Sequence, residues 1–362
     1  MNKIQYDNLL AFHPGYYLKE FIEDLELTQD EFALRLDTTP KTISKLVNAQ
    51  ANMSNDIAKK LSNMLGTSVD LWLNLQNEYD KKVLEIQEKE ALDNEFKLLK
   101  QIDYGFFEKL DLCDSTKDKS IRLKQLLAFL NVAKLSVLKN PKILVQYRQT
   151  SMMNSDEVTD RIITNVWVQT IINLGKEIQT QKYNEKKLLE LIVKLRAMTV
   201  LQECNFIDDL KEMFAQCGVA LVVIPSLKGS KVYAAVSWLN KDKVVLGITN
   251  RGLDSDKFWF SLFHEIKHIL QNKKRIVIID TQITTDLEKE ANDFSADILI
   301  PKQDYVDFIT SFKNSNFAEQ DIINFAKEIQ THPGIVVGRM QKDKIIEYCE
   351  FNKLKCKYNL FA

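Results

Sequence analysis

The thirteen residues FWFSLFHEIKHIL (258–270) constrain this chain more than any others. The run is apolar and helical in character, yet it carries His264, Glu265 and His268. Burying such a helix also buries two imidazoles and a carboxylate, which an apolar interior tolerates only when they are paired or bound to a metal. Residues four apart lie on one helical face. Both histidines can therefore hold one zinc ion, with Glu265 beside it as a base toward water. The chain has four histidines, and this motif uses two of them.

A catalytic zinc needs three protein ligands and one open position. Nineteen residues beyond His268 begins a second helical stretch, LEKEANDFSADILIP, closing at Pro301. Glu288, Ala291, Asn292 and Ser295 share one of its faces by three- and four-residue spacing. Glu290 projects about 200° away from Glu288 around the helix. Either glutamate can be the third ligand on spacing alone. Asn292 stands one turn beyond Glu288, where its side chain can hydrogen-bond the far nitrogen of a ligating histidine and fix the tautomer.

Together, DKFWFSLFHEIKHIL and EKEANDFSADILIP resemble the ImmA/IrrE family of zinc metallo-endopeptidases, over roughly residues 200–345. The resemblance implies a zincin-like domain that binds Zn2+ and cleaves repressor or regulator proteins. It implies His264, His268 and Glu288 as metal ligands and Glu265 as general base, with Glu288 favoured over Glu290 because ExxA followed by a polar residue matches the glutamate helix of thermolysin-like proteases. Many members carry Gly where this chain has Lys267, a position expected to face away from the metal. His332, in QTHPGIVVGRMQ, is a candidate for stabilising the oxyanion. Its alternative role is that of a helix-start residue before Pro333. Arg251 is a weaker candidate for the same task.

Residues 13–80 are punctuated by helix-start signals. Thr28 with Glu31 forms a capping-box pattern, Thr39-Pro40 a cap before a first-turn proline, and Ser54 and Ser68 precede two more helical runs. Five helices are expected, near 15–25, 29–36, 40–48, 55–65 and 69–85. The tight turn Asp37-Thr38-Thr39 gives the second and third a helix-turn-helix layout. This stretch, through GTSVDLWLNLQNEYD, resembles HigA-type antitoxins of the Xre class, which are lambda-repressor-like DNA-binding proteins. By that resemblance Gln29 contacts a phosphate, and Thr39, Lys41, Thr42 and Lys45 form the major-groove surface of the third helix, while Ile43 and Leu46 face the core. Residues 1–80 hold only seven Lys/Arg against twelve Asp/Glu. Lys41, Lys45, Lys59 and Lys60 are thus a local patch on an acidic body, and a homodimer on a palindromic operator would double it.

Residues 81–200 are expected to be a helical connector. Between 115 and 200 there are fifteen Lys/Arg and seven Asp/Glu, most simply a solvated helix face, and Phe129, Tyr147 and Trp167 there are expected in the core. From 218 the runs GVALVVIP, VYAAVSWL, KVVLGIT and RIVIID suggest strands of a small sheet. The five cysteines, at 113, 204, 217, 349 and 356, are odd in number and contain no CxxC. That argues for reduced thiols in a cytoplasm, and no apolar run is long enough to span a membrane.

The expected class is α+β, mostly helical: a helix-turn-helix domain over 1–80, a connector over 81–200, a zinc-peptidase domain over 201–345 and a tail over 346–362. The expected function is DNA-binding transcription regulation coupled to zinc-dependent hydrolysis of a repressor-like protein substrate. The alternative is an antitoxin and autorepressor whose peptidase-like domain binds a toxin without proteolysis.

Overall fold

The structure is a computed structural model that describes residues 3–140, 157–200, 206–230, 232–249, 254–271, 278–279, 286–312 and 317–358. Arg251, Tyr147, Cys204 and most of RIVIID lie outside the described residues. The chain divides into two compact units, 1–97 and 98–362.

The first unit opens with an antiparallel hairpin, β1 (Lys3–Tyr6) and β2 (Leu9–Phe12), in register Lys3 to Phe12. Five helices follow: α1 (Pro14–Asp24), α2 (Gln29–Arg35), α3 (Pro40–Val47), α4 (Asn55–Leu65) and α5 (Val69–Leu99). Their starts obey the caps in the sequence. Thr28 and Glu31 close a reciprocal capping box, Thr39 Oγ1 accepts the Thr42 N–H at 3.2 Å, and Ser54 Oγ accepts that of Ile57 at 3.3 Å. The core is Leu18, Phe32, Ile43, Leu46, Leu61 and Trp72, all at most 1% exposed. Helix α5 does not stop near residue 85. It runs to Leu99, and its later turns hold the hairpin through Tyr6 Oη donating to Asp93 at 3.0 Å and Lys89 pairing with Asp7. The expected boundary at residue 80 therefore shifts to 97, because the charged stretch after Tyr79 continues one helix that the hairpin packs against.

Helices α1 and α3 touch at Gly15, where a Cβ would stand 1.8 Å from the Leu46 carbonyl oxygen. A backbone oxygen cannot swing aside as a side chain can. Gly15→Ala is expected to cost about 3 kcal/mol, the upper end for overpacking, and to lower the melting transition of this unit by roughly 12 °C or more. A thermal melt of the full chain checks this, and an unchanged transition would show that the helices separate freely.

The second unit contains α6 (Tyr104–Lys109), α7 (Lys119–Leu130), α8 (Glu157–Glu177), α9 (Glu185–Met198), α10 (Ile207–Gln216), β3 (Val219–Ile224), β4 (Ala234–Asn240), β5 (Lys243–Thr249), α11 (Ser255–Leu270), β6 (Ile278–Ile279), α12 (Asp286–Leu299), α13 (Lys302–Ser311), α14 (Glu319–Glu328) and α15 (Pro333–Lys342). The strands pair in the order β3-β5-β4-β6, with β3 parallel to β5 and the other pairs antiparallel. All three long strands are almost wholly buried, the signature of a sheet covered on both faces. Strand alternation sorts the two faces. Val244, Leu246 and Ile248 join a core with Trp259, Leu262, Phe263 and Ile266 of α11. Val245 and Gly247 face α8, where added Cβ atoms on Gly175 and Gly247 would meet Val245 at 2.5 Å and Ile171 at 2.4 Å. Trp167, on α8, is fully buried as expected.

Residues 98–200 are therefore part of this body and not a separate connector. Arg196 makes the same point: its guanidinium donates to the Ile298 carbonyl at 2.7 Å and the Ile329 carbonyl at 2.6 Å, capping the ends of α12 and α14. The basic residues Lys186, Lys187 and Lys194 of α9 are exposed, a solvated face as the charge count suggested. Residues 346–358 are not a tail either. Tyr358 is 1% exposed and accepts the Trp259 indole N–H at 2.9 Å, and Lys355 pairs with Asp256 at 2.9 Å.

Candidate metal centre and nucleic-acid interface

Helix α11 lies on the sheet through its aromatic face and turns His264 and His268 toward α12. There the Nε2 atoms of the two imidazoles are 3.0 Å apart. Glu288 stands against both, its Oε2 3.1 Å from His264 Nε2 and its Oε1 3.3 Å from His268 Nε2. Among the described residues this is the one cluster of three or more such groups whose ligand atoms converge. His264 and His268 are 4% and 1% exposed and Glu288 is 17% exposed, so the cluster meets solvent on the Glu288 side.

The donor set fits zinc. Tetrahedral ligands about 2.0–2.2 Å from the ion lie roughly 3.3–3.5 Å from one another, and the observed edges need to open by only a few tenths of an ångström. Two imidazoles and one carboxylate leave a fourth position open. Burial opposes charge on Glu288, but hydrogen bonds from His264 and His268 outweigh it and hold the carboxyl at about 2, ionised and ready as a ligand. Burial also opposes charge on His268, yet Glu288, Glu265 and Gln271 together raise its pKa. Glu265 follows His264 in the chain and is fully buried.

The tautomer of His268 is set by a residue the sequence reading passed over. Gln271 Oε1 lies 3.0 Å from His268 Nδ1, while its amide donates to the Leu287 carbonyl at 3.2 Å and to Glu290 at 3.0 Å. With both amide protons used, the oxygen faces the ring, so Nδ1 keeps a proton: the charged ring donates from Nε2 to Glu288, and the neutral ring has its Nε2 lone pair available to a metal. Glu290 is held in turn by Lys267 at 2.8 Å. Thus Glu290 supports the centre from outside, Glu288 belongs to it, and Lys267 faces away from the cluster. Asn292 makes no hydrogen bond to either histidine. Its position one turn past Glu288 does not reach a far ring nitrogen, whereas Gln271, one turn past His268 on the same helix, does. Spacing of three residues after a ligating histidine was the signal available for it. Gln271→Leu is expected to weaken zinc binding about 10- to 100-fold, measured by competition with a chelator. Unaltered affinity would mean the ring keeps its tautomer without help.

His332 is not part of the cluster. It caps α15: Nδ1 accepts the Gly334 N–H at 3.1 Å, with Pro333 at the first helical position. The chain builds the same His-Pro-Gly cap at α1, where His13 Nδ1 accepts the Gly15 N–H at 3.0 Å. Burial lowers the pKa of both rings, favouring the neutral form that a cap requires. His332 thus takes the alternative role of a helix-start residue, through Nδ1.

In the first unit, Gln29 begins α2 and Thr39 caps α3. Gln29, Thr39, Lys41 and Lys45 are exposed and Thr42 is half-buried, while Ile43 and Leu46 are buried beneath them. Lys60 is withdrawn from the expected basic patch. It donates to the Asp37 carbonyl at 2.7 Å and pairs with Asp37 and Asp56, pinning the turn where Asp37 has φ +53°.

A helix-turn-helix family model matches residues 18–72, and a model of the IrrE N-terminal-like domain matches residues 221–330. The uncharacterized HTH-type transcriptional regulator YddM of Escherichia coli K12 is 38% identical over 64 residues, 18% of this chain and 68% of that protein. Virulence-associated protein I of Dichelobacter nodosus is 32% identical over 84 residues, 23% of this chain and 77% of that protein. A solved structure of an addiction module antidote protein of the HigA family from Coxiella burnetii aligns with 23% of this chain and 92% of that chain, at 26% identity and a TM-score of 0.22.

Proposed function

We propose that this chain, which belongs to the helix-turn-helix regulator family and carries an IrrE N-terminal-like domain, binds operator DNA and hydrolyses peptide bonds of a regulatory, repressor-like protein. One observation carries the hydrolytic half: His264, His268 and Glu288 converge within 3.0–3.3 Å, beside a buried Glu265 on the same helix. His264, His268 and Glu288 would hold Zn2+, which when bound supplies Lewis acidity toward a scissile carbonyl. Glu265 takes the proton of the attacking water and returns it to the leaving amine. Gln271 keeps His268 in the ligating tautomer, and the apolar packing of α11 excludes bulk water from the buried side.

The regulatory half rests on the row of exposed Gln29, Thr39, Lys41 and Lys45 with half-buried Thr42. Two copies on a palindrome would present this row twice. With so few cations on an acidic unit, the salt dependence of binding is expected to be shallow. Operator DNA as partner and four cysteines outside any disulfide among the described residues suit a reducing cytoplasm, and no described helix is long and apolar enough to cross a membrane.

The test is to express wild-type and Glu265→Gln chains in parallel and map new protein N-termini in the cells. Cleavage of a regulatory protein in the wild type alone supports the reading. Identical N-termini in both, with zinc bound in both, would overturn proteolysis.

A further inference from the structure

The stripes of α11 that carry the metal ligands continue toward its start. Lys257 and Ser261 precede His264 and His268 by seven residues, hence two turns back on the same face. With Phe260 they line one wall of a cavity of about 890 Å3. Leu299, on the Glu288 face of α12, lines it as well. α15 and the terminal segment supply the opposite wall. The cavity begins about 6 Å along the helix from His264, roughly two residues of extended peptide. Phe260 joins the two places: its ring centroid is 6.3 Å from that of His264, and the Lys342 ammonium lies 4.4 Å over it.

The lining is basic: six cations, Lys257, Arg339, Lys342, Lys353, Lys355 and Lys357, and two acids, Asp254 and Asp256. Four of the cations pair with carboxylates, Lys257 with Asp254 at 3.1 Å, Lys355 with Asp256 at 2.9 Å, Arg339 with Asp343 at 2.6 Å and Lys353 with Glu319. Lys342 and Lys357 are exposed at the wall, and Tyr348, 70% exposed, offers an aromatic face at its rim. Gly338 lets α15 close on this site, since a Cβ there would stand 2.1 Å from Asp256 Oδ2.

We propose that this cavity reads the substrate, and that it takes an acidic peptide segment whose Asp or Glu side chain sits two or three residues from the bond cleaved. The inference rests on the peptidase reading above. Lys342 and Lys357 receive the carboxylates, and Phe260 and Leu299 line the path toward the ligands.

The experiment uses the full Glu265→Gln chain loaded with zinc. A fluorescein-labelled dodecapeptide rich in Glu and Asp is titrated beside its Gln/Asn counterpart, with anisotropy as the readout. At 0.1 M salt the acidic peptide is expected to bind at least about tenfold more tightly. Lys342→Glu and, separately, Lys357→Glu remove that preference, with one equivalent of zinc retained as the sign of an intact fold. Equal binding of the two peptides overturns the proposal, as does a preference that survives both reversals. Binding of inorganic tripolyphosphate with no binding of either peptide overturns it too, marking a phosphate site instead. Peptide binding needs no cleavage. A chain that selects the acidic peptide while the wild type cuts nothing supports the cavity and removes only the peptidase reading.

Discussion

Glu265→Gln is expected to lower peptide hydrolysis by about 10²- to 10⁴-fold, the usual contribution of a positioned acid–base group, while zinc stays at one equivalent. Glutamine has nearly the same shape, so the fully buried position is filled as before. What it lacks is the proton affinity of a carboxylate. The loss should appear in the rate of the chemical step, because the side chain next to His264 can act on the attacking water without holding the substrate. The substitution also removes the charge that helps raise the His268 pKa, so the metal-free imidazole becomes easier to deprotonate. Measuring cleavage rate and metal content on one preparation separates the two effects. An undiminished rate at full zinc occupancy would remove Glu265 from the mechanism.

The second large effect is loss of the metal itself. Glu288→Ala is expected to leave less than about a tenth of an equivalent of zinc after dialysis, where the wild type and Glu290→Ala retain about one. The two glutamates are two residues apart and chemically identical, yet their surroundings separate them. Glu288 spans both imidazoles, whereas Glu290 lies on the outside with Lys267 and Gln271. Removing Glu288 leaves two histidines and no third donor, too few for a site that keeps its ion. Removing Glu290 loosens Gln271 and costs tens-fold in affinity at most. Elemental analysis of the three proteins decides it. Zinc lost with Glu290 and kept with Glu288 would reverse the assignment. A zinc-free wild type, even after metal is supplied, would leave partner binding without hydrolysis as the role of this domain.

Much of this protein is local and therefore legible in the chain. The capping box at Thr28 and Glu31, the Thr39-Pro40 start and the Ser54 cap involve partners within three residues, and each forms where expected. His264 and His268 are four residues apart on one helix, so their shared face needs no knowledge of the rest of the fold. The strands at 219, 234 and 243 were legible as β-branched runs.

What covers the faces of the sheet was not legible. α8 fits the sheet only because Gly175 and Gly247 remove side chains on opposite sides of one contact, and neither glycine announces its partner. The same holds for Arg196, which binds carbonyls more than a hundred residues away, and for Tyr358, whose core place depends on Trp259. Asn292 shows the converse: a suitable residue type in a suitable stretch, yet Gln271 and not Asn292 meets a ring nitrogen. The sequence by itself determined the helices, their caps, the strands and the pair of histidines, because those depend on neighbours within one helical turn or one strand. Only the tertiary structure decided that Glu288 and not Glu290 meets the histidines, that Gln271 sets the tautomer, and that Lys353, Lys355 and Lys357 line a basic cavity. Those choices depend on how two helices are rotated and spaced, which follows from packing across the whole core.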